Sequence, residues 1–498
     1  MKQVTTTLLS VLCLLVLLGV VVPANSLGSP IVCEDHLTLP ADKILRISQT
    51  RVEFSHHGLL PISADVEVFQ HWGDEIHSIP LDAVKVGFEE VVATVFQGEI
   101  VRFDVYDPLY IRAIRVAIST DQFRSVEHER LSLSPTTTLY VEEKGTGRGF
   151  SVESDQEVSL FVVDGRLHAV DGQGTTWQFD QRLHIWSQPG GLVQINSFRR
   201  GTGTQFYPQY RGHFEITMME NNRFLVINEV DLEDYLYQVV PSEMPISWPL
   251  EALKAQAVAA RTYAVAQAIY SRQGHLGFHV ADSTNSQVYN NHPESARTTQ
   301  AIDETAGEIL ARSDGVISST YYYSTSPQAV LTNLSTWKDT SGLGLEGNSP
   351  WFRWSCTFTK TELEGLFPLG EIASVEITER DGVGRVVCLV VSGSEGKESI
   401  EGELNIRRAL RPSSLRRVND SLGPQSLLPS ALFFLEQQRD AGGKLQSITI
   451  YGGGSGHNLG MSQWGAKGMA ESGYDHLSIL TKYYPNATLI THSQQLRY

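Results

Sequence analysis

Glu243 stands between two prolines, in Pro241-Ser242-Glu243-Met244-Pro245, where the flanking rings fix φ on both sides. A glutamate held in this way could deliver a proton and later take one back. That requires a raised pKa, obtained most simply by burial against Met244 and Trp248. Lys254 and Arg261 follow on a helix that opens at Pro249. They are seven residues apart, so they lie on nearly one face, about 10 Å apart along the axis. Val258 and Val265 share that face. Spacing alone favours a plain role for both cations, with Arg261 in a structural ion pair and Lys254 snorkelling its stem along the surface.

The elements that would position these groups are legible in outline. Short β-type runs and turn signals fill residues 37–205, as in Val91–Phe96, Ile111–Ile118 and Asp164-Gly165. A strand pair then runs over Arg211–Met218 and Arg223–Asn228, turned at Glu220-Asn221-Asn222. Asp231 can cap a short helix whose acidic first turn suits the positive helix end, and the pattern predicts a stop at Pro241, leaving Glu243 on a rigid loop. The clearest helix spans Pro249 to about Arg272. Pro249 suits its first turn, and its alanines, with a stripe of Leu253, Ala257, Ala260, Ala264 and Ala268, allow a neighbour to approach closely. The fold class expected is α+β: strand-rich N-terminal modules, then a mixed region with one long Ala-rich helix.

The chain has 498 residues, 56 acidic and 39 basic, and a formal charge of −17. This length implies more than one domain. The charge argues against nucleic acid or an anionic membrane surface as the main partner, while leaving room for a local basic groove. Lys2, the apolar run from Leu8 to Val22 and Ala24-Asn25-Ser26 read as an export signal over residues 1–26. About 15 apolar residues fall short of the ~20 of a spanning helix, so the expectation is an extracytoplasmic protein, membrane-anchored if the signal stays uncleaved. Cys13 lies in that segment. Cys356 and Cys388 could pair in an exported protein, but the preferred reading makes both buried strand residues. The expected division is residues 1–26, a β-rich region at 27–108, a small β module at 109–205 and a main region at 206–498.

Two stretches carry a resemblance. Val240-Pro-Ser-Glu-Met-Pro and the following Trp248-Pro-Leu-Glu-Ala-Leu-Lys-Ala-Gln-Ala-Val-Ala-Ala-Arg-Thr-Tyr-Ala264 are similar to the signature of the SpoIID/LytB family. Gly452-Gly-Gly-Ser-Gly-His457-Asn-Leu-Gly460-Met-Ser-Gln463-Trp464-Gly-Ala466 resembles its second signature. Ser286-Gln287-Val288-Tyr289 and Ile479-Leu-Thr-Lys-Tyr-Tyr-Pro485 match further elements in the same order. The resemblance covers about 280 residues.

The resemblance implies a peptidoglycan lytic transglycosylase that cuts MurNAc–GlcNAc strands, preferring those stripped of stem peptides, and leaves a 1,6-anhydro product in cell-wall remodelling. LytB-like members are instead described as enhancers of an N-acetylmuramoyl-L-alanine amidase, which gives the alternative of a non-catalytic wall-binding protein. The implied catalytic acid is Glu243, with Lys254, Arg261, Gln287, Tyr289, His457 and Gln463 as substrate contacts. The glycines from Gly452 would let a backbone pass close to a sugar strand. They lack the Lys-Ser/Thr of a phosphate-binding loop. Many relatives carry a Cys/His cluster before the Gln-Val-Tyr element. Here Ala281–Ser286 has neither residue type, and His275 and His279 lack a third ligand, so no metal and no cofactor is expected.

Overall fold

The computed structural model describes residues 36–106, 111–154, 156–270, 272–312, 320–339, 345–346 and 348–491. The export signal predicted for residues 1–26 lies outside them, as do Cys13 and Cys33. Among the described residues no helix is long and apolar enough to cross a membrane.

Residues 37–105 form a seven-stranded sheet with a parallel pair between Gly58–Trp72 and Glu99–Val105. Its inward row, including Ile44, Val52, Phe54, Ile100 and Phe103, is fully buried. An eight-stranded sheet follows, containing β1 (Ala113–Ala117), β2 (Leu183–Ser187), β3 (His213–Met218) and β4 (Phe224–Asp231). β2 pairs with β3, Leu183 opposite Ile216. The boundary expected at 205/206 therefore falls inside a single sheet. Pairing between strands distant in sequence leaves no local mark at that point.

Buried charge fastens the two sheets together. Arg115, with no exposure, bonds Glu215 and Glu229, Arg182 bridges Glu215 to Glu53, and Lys43 reaches Glu229. His279 is part of this seam: its Nε2 donates to the Val86 carbonyl at 2.9 Å and its Nδ1 accepts the Arg115 N–H at 3.2 Å.

β4 runs straight into α1 (Leu232–Glu243), capped by Asp231, whose carboxylate accepts the Glu233 N–H at 2.9 Å. The helix does not stop at Pro241. It continues to Glu243 because the Met244 N–H bonds Val240 O at 3.0 Å and the Ser242 hydroxyl donates to Gln238 O at 2.6 Å. Proline is tolerated in this last turn, and Glu243 is a helix-terminal residue rather than part of a loop.

α2 (Leu250–Tyr270) is buried on nearly every side, from Ala252 to Ile269. It packs against α1, α3 (Ala296–Asp303) and β5 (Glu308–Arg312), and against two C-terminal helices introduced below. Small side chains are needed on all these faces, which explains the alanines beyond a single stripe.

The chain continues through β6 (Tyr322–Tyr323) and α4 (Leu334–Lys338) into β7 (Trp354–Thr359), β8 (Leu415–Arg417), β9 (Phe433–Arg439) and β10 (Leu445–Gly452). Strands β7 to β10 belong to one five-stranded sheet with its own core of Trp354, Phe358, Leu389, Ile448 and Ile450. Residues 206–498 thus hold two cores. Cys356 and Cys388 are both free, the first buried and the second half-buried. The chain then returns to the first core through β11 (Met461–Ser462), which pairs with β6, followed by α5 (Gln463–Glu471) and α6 (His476–Tyr483). Both helices lie on α2.

Candidate active site

The last turn of α1 presents Glu243 beside the loop that follows Ala281. Its Oε1 accepts the Val288 N–H at 2.6 Å. Burial pushes the carboxyl up to about 7, against the Val288 N–H and the Tyr322 hydroxyl, which both favour the ionised form. The groups that shift it include neither a guanidinium nor an ammonium. Met244 and Trp248, which follow it in the chain, are both buried.

A chain of amides and phenols fixes this carboxyl. The Tyr235 hydroxyl donates to Gln287 Oε1 at 3.1 Å, which orients the amide. Gln287 Nε2 then donates to Ala260 O at 3.2 Å and to the Tyr322 oxygen at 3.0 Å. With its oxygen so occupied, Tyr322 has its own proton free to give to Glu243. Burial and the nearby Glu243 hold the phenol well above its ordinary pKa, so it stays a donor. From the other side Gln463 Nε2 donates to the Glu243 backbone oxygen at 2.9 Å and contacts Gln256 Oε1 at 3.3 Å.

His457 is half-buried between Tyr321 and Tyr323, with ring centroids 5.9 and 5.8 Å away. Its Nδ1 accepts the Leu459 N–H at 3.2 Å, which leaves the other nitrogen for the Tyr322 backbone oxygen. Burial lowers its pKa, so it is a neutral prop for β6. Trp464 meets Trp248 edge-on at 5.0 Å, and the Lys467 ammonium lies 5.3 Å over its ring.

The six expected substrate contacts thus separate. Gln463 holds the Glu243 backbone, Gln287 acts on the carboxyl through Tyr322, and His457 supports the strand that carries Tyr322, all as positioning groups, and Gln287 is only 1% exposed. Tyr289 is a core residue: it has no exposure, its hydroxyl donates to Asn228 Oδ1 at 2.8 Å, and its ring lies 5.0 Å from that of Tyr235. Arg261 is also fully buried. Its guanidinium grips Glu233 bidentately at 2.8 and 2.6 Å and donates to Glu308 O at 3.1 Å. Glu233 opens α1 and Glu243 closes it, about 15 Å further along the axis. Lys254 pairs with Glu251 at 2.8 Å and Glu304 at 2.7 Å. Both cations therefore serve the packing of α1, α2 and α3.

The glycine-rich segment is another correction. A Cβ on Gly452 would fall 2.1 Å from the Trp354 ring, and one on Gly460, at φ +75°, would fall 1.8 Å from Tyr321 O. These glycines admit the protein's own neighbours, not a sugar.

Sequence reasoning missed the Val288 N–H, Tyr322 and Glu346. The run Tyr321-Tyr322-Tyr323 was the available signal for Tyr322. Glu346 is a second buried carboxyl, pushed up to about 7 by burial, accepting the Ser462 hydroxyl at 2.9 Å and the Ser326 N–H at 3.0 Å. Tyr323 is among the groups around it. Successive residues of a strand point to opposite faces, so β6 stands between the two carboxyls.

His275 is turned to Arg272 O at 3.2 Å and His279 belongs to the seam described above, so they share no ligand geometry. Ligand atoms of His213, Glu215 and Glu229 do lie within 4.8 Å of one another. Arg115, Arg182 and Lys43 already neutralise those carboxylates, so a cation there would meet three positive charges.

A family model described as Stage II sporulation protein matches residues 220–311, and one described as a domain of unknown function, DUF8618, matches residues 322–460. The chain is similar to an uncharacterized protein of Brachyspira hyodysenteriae, 32% identical over 283 residues, or 55% of this chain and 70% of that protein. It is similar to Stage II sporulation protein D of Bacillus amyloliquefaciens, 30% identical over 275 residues, or 52% of this chain and 74% of that protein. The amidase enhancer of Bacillus subtilis is 29% identical over 291 residues, which span 51% of this chain and 40% of the enhancer.

Proposed function

Because the chain belongs to the SpoIID/LytB family, we propose that it acts on the cell wall, outside the cytoplasmic membrane, as a lytic transglycosylase that cuts MurNAc–GlcNAc strands. The observation that carries this reading is Glu243, a carboxyl with a pKa of about 7 that accepts the Val288 N–H and the Tyr322 hydroxyl, on a helix end whose backbone oxygen Gln463 holds. Hydrolytic glycosidases use two carboxylates, one for the leaving oxygen and one for water or the sugar. A lytic transglycosylase needs only one. Protonated Glu243 gives its proton to the glycosidic oxygen as the bond from MurNAc C1 to that oxygen breaks. The carboxylate so formed takes the proton from the MurNAc 6-hydroxyl as O6 bonds C1. The products are a free 4-hydroxyl on GlcNAc and a 1,6-anhydro-muramyl end, and Glu243 is protonated again.

A second reading has one observation in its favour. Lys254 and Arg261 are consumed in structural ion pairs, which suits a wall-binding or amidase-enhancing protein without chemistry of its own. Digesting purified glycan strands, with and without stem peptides, separates the two readings. Mass spectrometry of the products is expected to find 1,6-anhydro ends; no product from either substrate sinks the enzyme reading, and ordinary reducing ends would mean hydrolysis.

Burial sets the pH range of this chemistry, and the Tyr322 hydroxyl trims it. Protonation of the leaving oxygen needs the acid form of Glu243, so kcat/KM is expected to fall as pH rises through about 7. Tyr322→Phe removes a donor that favours the ionised form. The acid form then persists to higher pH, and the falling limb moves upward by up to about one pH unit. A limb that stays in place or moves downward in the kcat/KM–pH profile would show that Tyr322 does not act on this carboxyl.

A further inference from the structure

The unit between β6 and β11 carries a feature that the Glu243 chemistry does not use. One face of its five-stranded sheet covers the core; the other looks into a cleft of about 730 Å³. The register places Ser355 opposite Tyr451, Thr357 opposite Thr449, and Arg416 opposite Ser355. Arg416, Ser355 and Tyr451 therefore form a row across β8, β7 and β10, about 10 Å long at ordinary strand spacing. The aromatic wall is rigid. Tyr451 stacks on Phe434 with centroids 5.2 Å apart and meets Trp337 edge-on at 5.2 Å, while the Trp337 indole N–H is fixed to Gly452 O at 3.0 Å.

Charge singles this cleft out. In a chain of net charge −17, its lining includes Lys338, Arg353, Arg416 and Arg417 and, among the described residues, no acidic one. Asp420 neutralises Arg417. Arg353 is buried, and its guanidinium donates to the backbone oxygens of Trp337, Pro327, Phe352 and Asp339. Burial lowers its pKa to about 10, so it remains charged at neutral pH; Asp339 is the acid whose charge reaches it. Lys338 and Arg416 are exposed, and among the described residues neither has an ion-pair partner.

We propose that this cleft is a second binding site and that it takes an anionic saccharide strand. Lys338 and Arg416 receive carboxylates, Trp337 and Tyr451 offer ring faces and edges to a pyranose, and the hydroxyls of Ser355, Thr357 and Thr449 face the sugar hydroxyls. Two free cations are too few for a nucleic acid, whose affinity rests on many phosphate contacts. The strand's identity rests on the wall reading above. In a glycan stripped of stem peptides each muramyl residue ends in a free lactyl carboxylate, whereas in an intact strand that carboxyl is tied up as an amide. The cleft thus selects the stripped strand by where its charge lies, on the sugar itself rather than out along a peptide. β10 leads from it into the segment that ends at Gln463, which holds Glu243.

The test uses the full chain carrying Glu243→Gln, so that strands are bound and not cut. Peptide-stripped glycan strands are titrated against it and against the same chain with Lys338→Glu and Arg416→Glu added. The charge reversal is expected to weaken binding at least tenfold, with an unchanged circular-dichroism melt, since both side chains are exposed. Strands whose carboxyls have been converted to neutral amides are expected to lose the same increment with the Glu243→Gln chain. Binding within twofold in either comparison overturns the proposal. Tighter binding of poly(glycerol phosphate) than of the glycan also overturns it, by assigning the cleft to phosphate. The lytic reading fails separately, through an absence of anhydro ends from the unsubstituted chain, and retained binding would leave the cleft standing.

Discussion

Glu243→Gln is expected to abolish release of 1,6-anhydro ends, lowering the rate by about a thousandfold or more, while the chain folds normally. In the proposed reaction one carboxyl serves both proton transfers, and each such transfer typically contributes about 10²- to 10⁴-fold. Glutamine keeps the shape and can still accept the Val288 N–H, so the positioning network survives. The same substitution has a thermodynamic signature. The folded carboxyl holds its proton up to about pH 7, whereas its ordinary value is 4.5. The folded state therefore binds more protons than the unfolded chain between these values, and the stability of the native protein falls as pH rises through that window. The glutamine variant lacks this loss. Its melting temperature is expected to match the native one near pH 4 and to exceed it at pH 8. Equal melting temperatures at pH 8 would show that the carboxyl is not desolvated, and an unimpaired rate would remove Glu243 from the chemistry.

Arg261→Met is expected to lower stability by about 3 kcal/mol, which is several degrees in Tm, and to leave KM close to native for the molecules that remain folded. Removing one partner of a buried ion pair typically costs about 3–5 kcal/mol, and Glu233 keeps some solvent, which favours the lower figure. Beyond the Glu233 carboxylate, the guanidinium satisfies Glu308 O at 3.1 Å; methionine leaves this carbonyl without its donor. A substrate cation would behave in the opposite way, raising KM with little change in Tm. Thermal melts and saturation kinetics on the same preparation distinguish the two.

What the sequence made legible was local. Asp231 as a cap, Asn222 in a hairpin turn at φ 59°, and the long alanine helix are all present, because each rests on chemistry within a few residues. Pro241 misled: the rule that proline ends a helix is statistical, and the Met244 N–H and the Ser242 hydroxyl satisfy carbonyls on the far side of it. Arg261 shows a different limit. Spacing alone pointed to a structural ion pair, which is what the structure contains, while the resemblance pointed to substrate. The glycines from Gly452 gave no means of telling a close-packed tryptophan from a bound sugar, since both demand the same missing Cβ. The groups that tune Glu243 were beyond reach for another reason. Val288 acts through its backbone N–H, which every non-proline residue has, and only the tertiary fold selects this one.

The Gln463 amide clasps a backbone oxygen 220 positions earlier in the chain. During synthesis the helix bearing Glu243 emerges long before the residue that locks its end. The two C-terminal helices that cover α2 also follow the whole inserted unit in the chain. Contacts so remote in sequence form late. A chain halted before Gln463 would own its carboxyl yet lack the clasp, so the hold on the Glu243 backbone is completed only by residues made much later than the helix it secures.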